Sequence, residues 1–219
     1  MREGEGAKAE EAVIESLLRG FPGILKELSS IHDVTEHYAF FIAWLNSVIE
    51  GAGLGFIVVT GGFAVEVYTG RIYRTMVVDL ICSNSRVSQT LERFLSSVGE
   101  AVERGYLLEG DFPLKSVDIV ADYYDREVPP VRVWVRGKPL HLDPPEYLIV
   151  AHLAGWKYWG SSEDRDKALW LLAATKDIVD EELLNKLAER GGVRDVLAEV
   201  LKLAEKVLGG LDEAGKHGD

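Results

Sequence analysis

The stretch Val58-VVTGGFAVEVYTGRIYRTMVVDLIC-Cys82 decides the fold. A β-branched run ends at Gly61-Gly62, a short helical patch follows from Phe63 to Tyr68, and a second apolar run spans Met76–Cys82. Short apolar runs bounded by turn residues read as buried strands. The second run holds one charge, Asp79, which a buried strand tolerates only with a partner or a task.

Working outward, Phe56–Thr60 and Met76–Cys82 are predicted strands, and Ser116–Tyr124 a third. Its alternation places Asp118, Val120 and Asp122 on one face and Val117, Ile119 and Ala121 on the other. Val131–Gly137 and Leu140–Leu142 read as a hairpin turning near Gly137-Lys138. Ser85 or Ser88 opens a helix through about Glu103. Upstream, Ala12–Leu28 has helical spacing with a break expected at Phe21-Pro22-Gly23, and residues 1–10 read as frayed. Asp33-Val34-Thr35-Glu36 reads as a capping box opening a helix to about Ile49. Asp143-Pro144-Pro145-Glu146 reads as a capped helix start. Helical pattern continues to about Leu208, interrupted at Gly160-Ser161, Lys176–Val179 and Gly191-Gly192. The expected class is α+β, with N-terminal helices over 1–52 packing on the core, a small mixed sheet over 53–143, and a helical subdomain over 144–219.

The 219 residues suffice for a core without staples. A formal net charge of −12 argues against non-specific nucleic-acid binding through phosphates. One cysteine, Cys82, forbids an internal disulfide and fits a reducing compartment. The N-terminus is charged where a signal peptide needs an apolar core, and no run approaches the roughly 20 apolar residues of a membrane span. The expected location is the cytoplasm.

The glycine pair, the following helix and the carboxylate on the next strand resemble the nucleotidyltransferase superfamily of the polymerase-beta type. That pattern has a glycine pair after the first strand, then Asp-x-Asp on the second, then a third acid on a later strand. Gly61-Gly62 stand at the first place. Arg74-Thr75-Met76-Val77-Val78-Asp79-Leu80 falls where related sequences read Arg-Thr-x-Asp-x-Asp-Leu, and Asp118 falls at the third acid. The segment from Pro144 to Leu172 is similar to the tails of small archaeal members and of the toxin half of abortive-infection pairs.

The resemblance implies transfer of a nucleoside monophosphate from a nucleoside triphosphate to an acceptor such as an RNA end or a protein side chain. Asp79 and Asp118 would be catalytic and hold Mg²⁺; Gly61, Gly62, Arg74, Thr75 and Lys157 would bind the nucleotide, with Arg71 a further cation for the triphosphate. Two metal ions about 4 Å apart clamp the attacking and leaving oxygens in such chemistry. Here the first acid of the pair is Val77. Two carboxylates under-neutralise two dications, so Mg²⁺ binding is expected to be weak. Glu66 and Asp122 are the candidates to replace the missing acid.

A second reading follows from Val77: a degenerate, non-catalytic member that binds nucleotide, a second copy of itself, or an antitoxin-like partner. Simpler readings stand beside the rest. Asp79 could be a structural ion pair with Arg71 or Arg74, and Gly61-Gly62 an ordinary turn. Trp156, Tyr158, Trp159 and Trp170 read as core or subunit packing before base stacking. The five histidines (His32, His37, His141, His152 and His217) show no zinc spacing, and the glycines do not match a dinucleotide fingerprint.

Overall fold

The computed structural model describes residues 3–70, 72–108, 112 and 115–215. The chain forms two compact units, one built from residues up to Val67 and from Arg74 to Asp143, the other from Tyr68–Tyr73 and from Pro144 onward.

The first unit contains α1 (Glu3–Leu28), α2 (Val34–Gly51), β1 (Ile57–Thr60), α3 (Gly61–Tyr68), β2 (Val77–Cys82) and α4 (Ser85–Val98). It continues with β3 (Gly99–Ala101), β4 (Tyr106–Leu108), β5 (Ser116–Ala121), β6 (Val131–Val135) and β7 (Lys138–Leu142). The strands form one mixed sheet in the order β3-β4-β5-β2-β1-β7-β6, so the class is α+β. β2 runs antiparallel to β1 and parallel to β5, and β1 runs parallel to β7.

The three strands expected from the apolar runs are therefore neighbours. Every residue of β1 is buried, as its unbroken apolar run implies. Asn46 of α2 fixes the start of that strand, accepting from Ile57 N at 2.7 Å and donating to Ile57 O at 2.9 Å. The N-cap half of the expected capping box is present, with Asp33 accepting from Glu36 N at 2.8 Å, while Glu36 Oε1 accepts from Arg136 Nε at 2.8 Å.

Four expectations are corrected. α1 runs through Pro22 without a break. Phe21 there packs against Phe41, Trp44, Phe94 and Phe112 with ring centroids 5.6–6.5 Å apart. The bond that proline forfeits falls on Leu18, which is exposed to water. α4 stops at Val98 rather than near Glu103, because Gly99 adopts an extended backbone and starts a short hairpin, β3-β4. The alternation along β5 holds only to Ile119: the register passes from Leu80↔Ile119 to Ile81↔Ala121, skipping Val120, so Ala121 joins the Asp118 face. Asp143 does not cap a helix, because its carboxylate is turned inward to Thr60 and Arg126.

The second unit holds α5 (Pro145–Trp159), α6 (Ser162–Thr175), α7 (Glu181–Arg190) and α8 (Arg194–Gly215), broken where the sequence indicates. Gly160 ends α5 in the left-handed region (φ 68°), which suits a glycine. His152 Nδ1 pairs with Asp164 Oδ1 at 2.7 Å, joining α5 to α6. Gly155 makes room for that carboxylate, since a Cβ there would lie 2.5 Å from Asp164 Oδ2. Glu146 accepts from Asp180 N at 2.7 Å and so secures the start of α7. Trp156 lies under Arg165 (6.0 Å), and Trp159 is 83% exposed rather than packed in a core. Among the described residues, no helix is long and apolar enough to cross a membrane.

A buried ion pair locks the sheet of the first unit. Lys115 Nζ meets Glu66 Oε2 at 2.9 Å, with both side chains at most 5% exposed. Glu66 also accepts from Thr35 Oγ1 (2.6 Å) and Thr75 N (3.0 Å), while Lys115 Nζ donates to Thr75 O. Removing one partner strands a buried charge. Lys115→Met should therefore cost about 3–5 kcal/mol in chemical denaturation, and the Glu66→Gln/Lys115→Met double variant less than the sum of the single changes.

Candidate functional site: an in-register carboxylate pair

Asp79 of β2 and Asp118 of β5 are direct register partners on parallel neighbouring strands, so they share a sheet face. Thr60 of β1 is the partner of Asp79 on the other side. Thr60 Oγ1 donates to Asp143 Oδ2 at 2.7 Å, extending the polar row. Arg126 closes that end with bonds of 2.9 Å from Nε to Asp143 Oδ1 and from Nη2 to Asp143 Oδ2. This two-pronged pairing satisfies a carboxylate that is 1% exposed.

The other end of the row is closed by Arg104. Its Nη2 donates to Asp79 Oδ1 at 2.9 Å, and its Nε lies 3.6 Å from Asp118 Oδ2. Arg104 stands at the tip of the β3-β4 hairpin, where Val102 N bonds Gly105 O at 3.0 Å. Gly105 (φ 74°) lets the tip lie on β5: a Cβ there would sit 2.1 Å from Val117 O. Thus the hairpin that interrupts the expected helix delivers a guanidinium to both carboxylates. The signal available in sequence was Gly105 followed by the apolar Tyr106-Leu107-Leu108.

Gly61 carries the conformation the turn needs, with φ 59°, and its missing side chain makes room for Asp79, whose Oδ2 would lie 2.5 Å from a Cβ. Gly62 similarly faces Thr75, at 3.2 Å from its Cβ. Both glycines belong to the first turn of α3. Thr75 is tied to Glu66 and Lys115, and its Oγ1 accepts from Val77 N at 3.3 Å. Arg74 is exposed and makes no ion pair among the described residues. Lys157, in the second unit, gives its protons to Asp195 Oδ1 (2.7 Å), Asp195 Oδ2 (2.8 Å) and Gly192 O (2.8 Å). Arg71 and His217 lie outside the described residues.

Among the described residues, neither Glu66 nor Asp122 takes the place of the missing acid. Val77 sits two residues before Asp79 on the same face and offers no ligand atom. Glu66 is consumed by Lys115, Thr35 and Thr75. Asp122 follows the register slip of β5 and acts electrostatically on Cys82, three residues along β2 from Asp79. Among the described residues, no group of three His, Cys, Asp or Glu side chains could hold a metal ion. A pair of dications does not fit a two-carboxylate site that already contains a guanidinium.

Burial raises the pKa of Asp79, Arg104 opposes that rise, and the Asp118 charge adds to it; the net shift is upward. Asp79 therefore binds its proton more tightly folded than unfolded. Its ionisation costs stability as pH rises from the unfolded value through the folded one.

No protein-family model matches the sequence, and no curated protein does. Solved structures do. An antigenic nucleotidyltransferase-like protein from Paracoccidioides brasiliensis superposes with a TM-score of 0.53 at 16% identity, covering 78% of this chain and 93% of that one. Weaker superpositions match the antibiotic-resistance factor ANT(2″)-Ia. Its complex with adenylyl-2″-tobramycin gives a TM-score of 0.45 at 16% identity, over 72% of this chain and 97% of that one. Its solution structure gives 0.42 at 15%, over 81% and 97%. The chain has a nucleotidyltransferase-like fold.

The direction of the Asp79 shift is checked by carboxyl NMR titration. Asp79 should titrate above the ordinary aspartate value, and higher still in Arg104→Ala. Asp79→Asn should melt no lower than the wild type at pH 7, whereas an aspartate whose charge stabilises the fold would lose stability.

Proposed function

We propose that this chain is a nucleotide-binding protein of nucleotidyltransferase-like fold that does not transfer nucleotides through a metal pair. The observation that carries this reading is Arg104, bridging Asp79 and Asp118 in the space between two carboxylates. Val77 removes the acid that would touch both metals, and Arg104 supplies the positive charge the remaining acids need. A guanidinium cannot activate a water or a hydroxyl as a metal ion does in phosphoryl transfer.

Phosphate recognition in this reading falls to arginines. Arg74 is exposed at the entry to β2, on the end that carries Asp79, and Arg104 is 59% exposed. Arg74 offers a whole forked donor face to phosphate oxygens, and Arg104 only the part not turned to Asp79 and Asp118. Lys157 takes no part, because its protons are already given to Asp195 and Gly192.

A second reading is supported by the same exposure of Arg104. If the guanidinium leaves, Asp79 and Asp118 would hold one Mg²⁺ weakly, and the chain would transfer a nucleoside monophosphate to an acceptor hydroxyl.

Calorimetry and a transfer assay separate the two. The first reading expects ATP to bind with the same affinity in Mg²⁺ and in EDTA, and to bind more weakly in Arg74→Ala. Labelled nucleoside triphosphates should leave no product on protein or RNA acceptors. The Val77→Asp/Arg104→Ala double variant should bind Mn²⁺ on the order of tenfold more tightly than the wild type. Mg²⁺-dependent transfer by the wild type, abolished in Asp79→Asn, would establish the second reading instead.

A further inference from the structure

The two edges of the sheet differ. One is β3, three residues beginning with glycine. The other is β6, Val131-Arg132-Val133-Trp134-Val135, five residues long. Natural edge strands are blunted by shortness, unpaired charge or proline. The prolines at 129 and 130 precede β6, and none falls within it. Its one charge is neutralised, since Arg132 Nη2 donates to Glu50 Oε2 at 2.9 Å. Trp134 is 64% exposed on this edge, with the Arg132 guanidinium 5.0 Å from its ring centroid.

The β6-β7 hairpin fixes which backbone groups face outward. Val135 pairs with Lys138 across a two-residue loop, Arg136-Gly137, with φ of 49° and 78°. Such a type I′ loop is closed by a pair that exchanges both backbone bonds. Val135, Val133 and Val131 therefore bond to β7, while Arg132 and Trp134 turn their N–H and C=O groups away from it. The pairing of Trp134 with Pro139 agrees, because proline has no N–H to give.

The free edge is also self-complementary. Turned about a twofold axis through Val133, β6 meets a second copy of itself antiparallel. Arg132 then stands opposite Trp134 of the other copy, and Val131 opposite Val135. The outward-facing groups of Arg132 and Trp134 are the ones this register requires, giving two hydrogen-bonded pairs around a central Val133–Val133 contact. Arg132 and Trp134 of the two copies also share one face as directly opposite residues, a favourable cross-strand pairing of cation and ring. Such an interface is isologous, as a twofold dimer demands.

From this register we infer that the protein forms a twofold dimer by antiparallel pairing of β6 with β6 of a second copy. The edge is short, so the association is weak and visible only at high micromolar concentration. Sedimentation velocity over a concentration series should show a monomer–dimer equilibrium. Trp134→Pro removes an outward N–H and the stacking ring while sparing every bond to β7. It should abolish the dimer with the circular dichroism spectrum unchanged.

Val133→Cys places two thiols on the axis, where facing residues of a non-hydrogen-bonded pair lie about 4.5 Å apart and a disulfide can close. It should cross-link on mild oxidation, while Val120→Cys, an exposed site elsewhere in the sheet, should not. The buried native Cys82 does not interfere. A wild type that stays monomeric at every concentration would overturn the inference. So would a dimer that survives Trp134→Pro while Val133→Cys fails to cross-link.

Discussion

The ion pair between Glu66 and Lys115 is the constraint on which the carboxylate site depends. Glu66 comes from the helix after the glycine pair, and Lys115 immediately precedes β5. Together they hold both backbone groups of Thr75, two residues before β2 begins. The entries to β2 and β5 are thus tied to one buried point. From the first register partners, Val77 and Ser116, Asp79 and Asp118 are reached by the same count along parallel strands, and they arrive side by side. The pair is dry, so the alternative to keeping it is an unpaired buried charge. Tyr38 reinforces it by donating to Lys115 O at 2.7 Å, and burial pushes the phenol up to about 12, so the hydroxyl stays protonated at neutral pH.

Electrostatics then decide what the carboxylates can do. Two acids in register repel, and burial adds to the cost of charging Asp79. A metal site meets this cost with dications and a third acid. Here one guanidinium at a hairpin tip, fitted against β5 by Gly105, lies against both carboxylates. The same glycine pair that resembles a phosphate-binding turn is used internally, Gly61 for Asp79 and Gly62 for Thr75. The far end of the row has its own guanidinium, Arg126 on Asp143.

Much of this was legible in the sequence. Short apolar runs marked β1, β2 and β5, turn residues marked the β6-β7 hairpin, and helical period marked α5 to α8. Asp79 and Asp118 were legible because each interrupts an apolar strand. Arg104 was not, because it lies in a segment whose polarity continues the helical pattern of α4, and only a close backbone approach reveals why Gly105 stands there. Glu66 and Lys115 were illegible as partners, since 49 residues separate them. Asp143 misled, because Asp-Pro-Pro-Glu satisfies the local rules for a cap while a long-range arginine takes the carboxylate. The slip at Val120 was invisible, because a bulge leaves the composition of a strand unchanged.

The central claim is that Arg104, not a metal ion, is the counter-charge of Asp79 and Asp118. Its most direct test is a crystal of the wild-type protein soaked with Mn²⁺ and a non-hydrolysable nucleoside triphosphate, with data collected to reveal anomalous scattering from manganese. The account predicts no manganese peak between the two carboxylates and Arg104 still bridging them. A strong peak there, with the guanidinium displaced toward solvent, would contradict it.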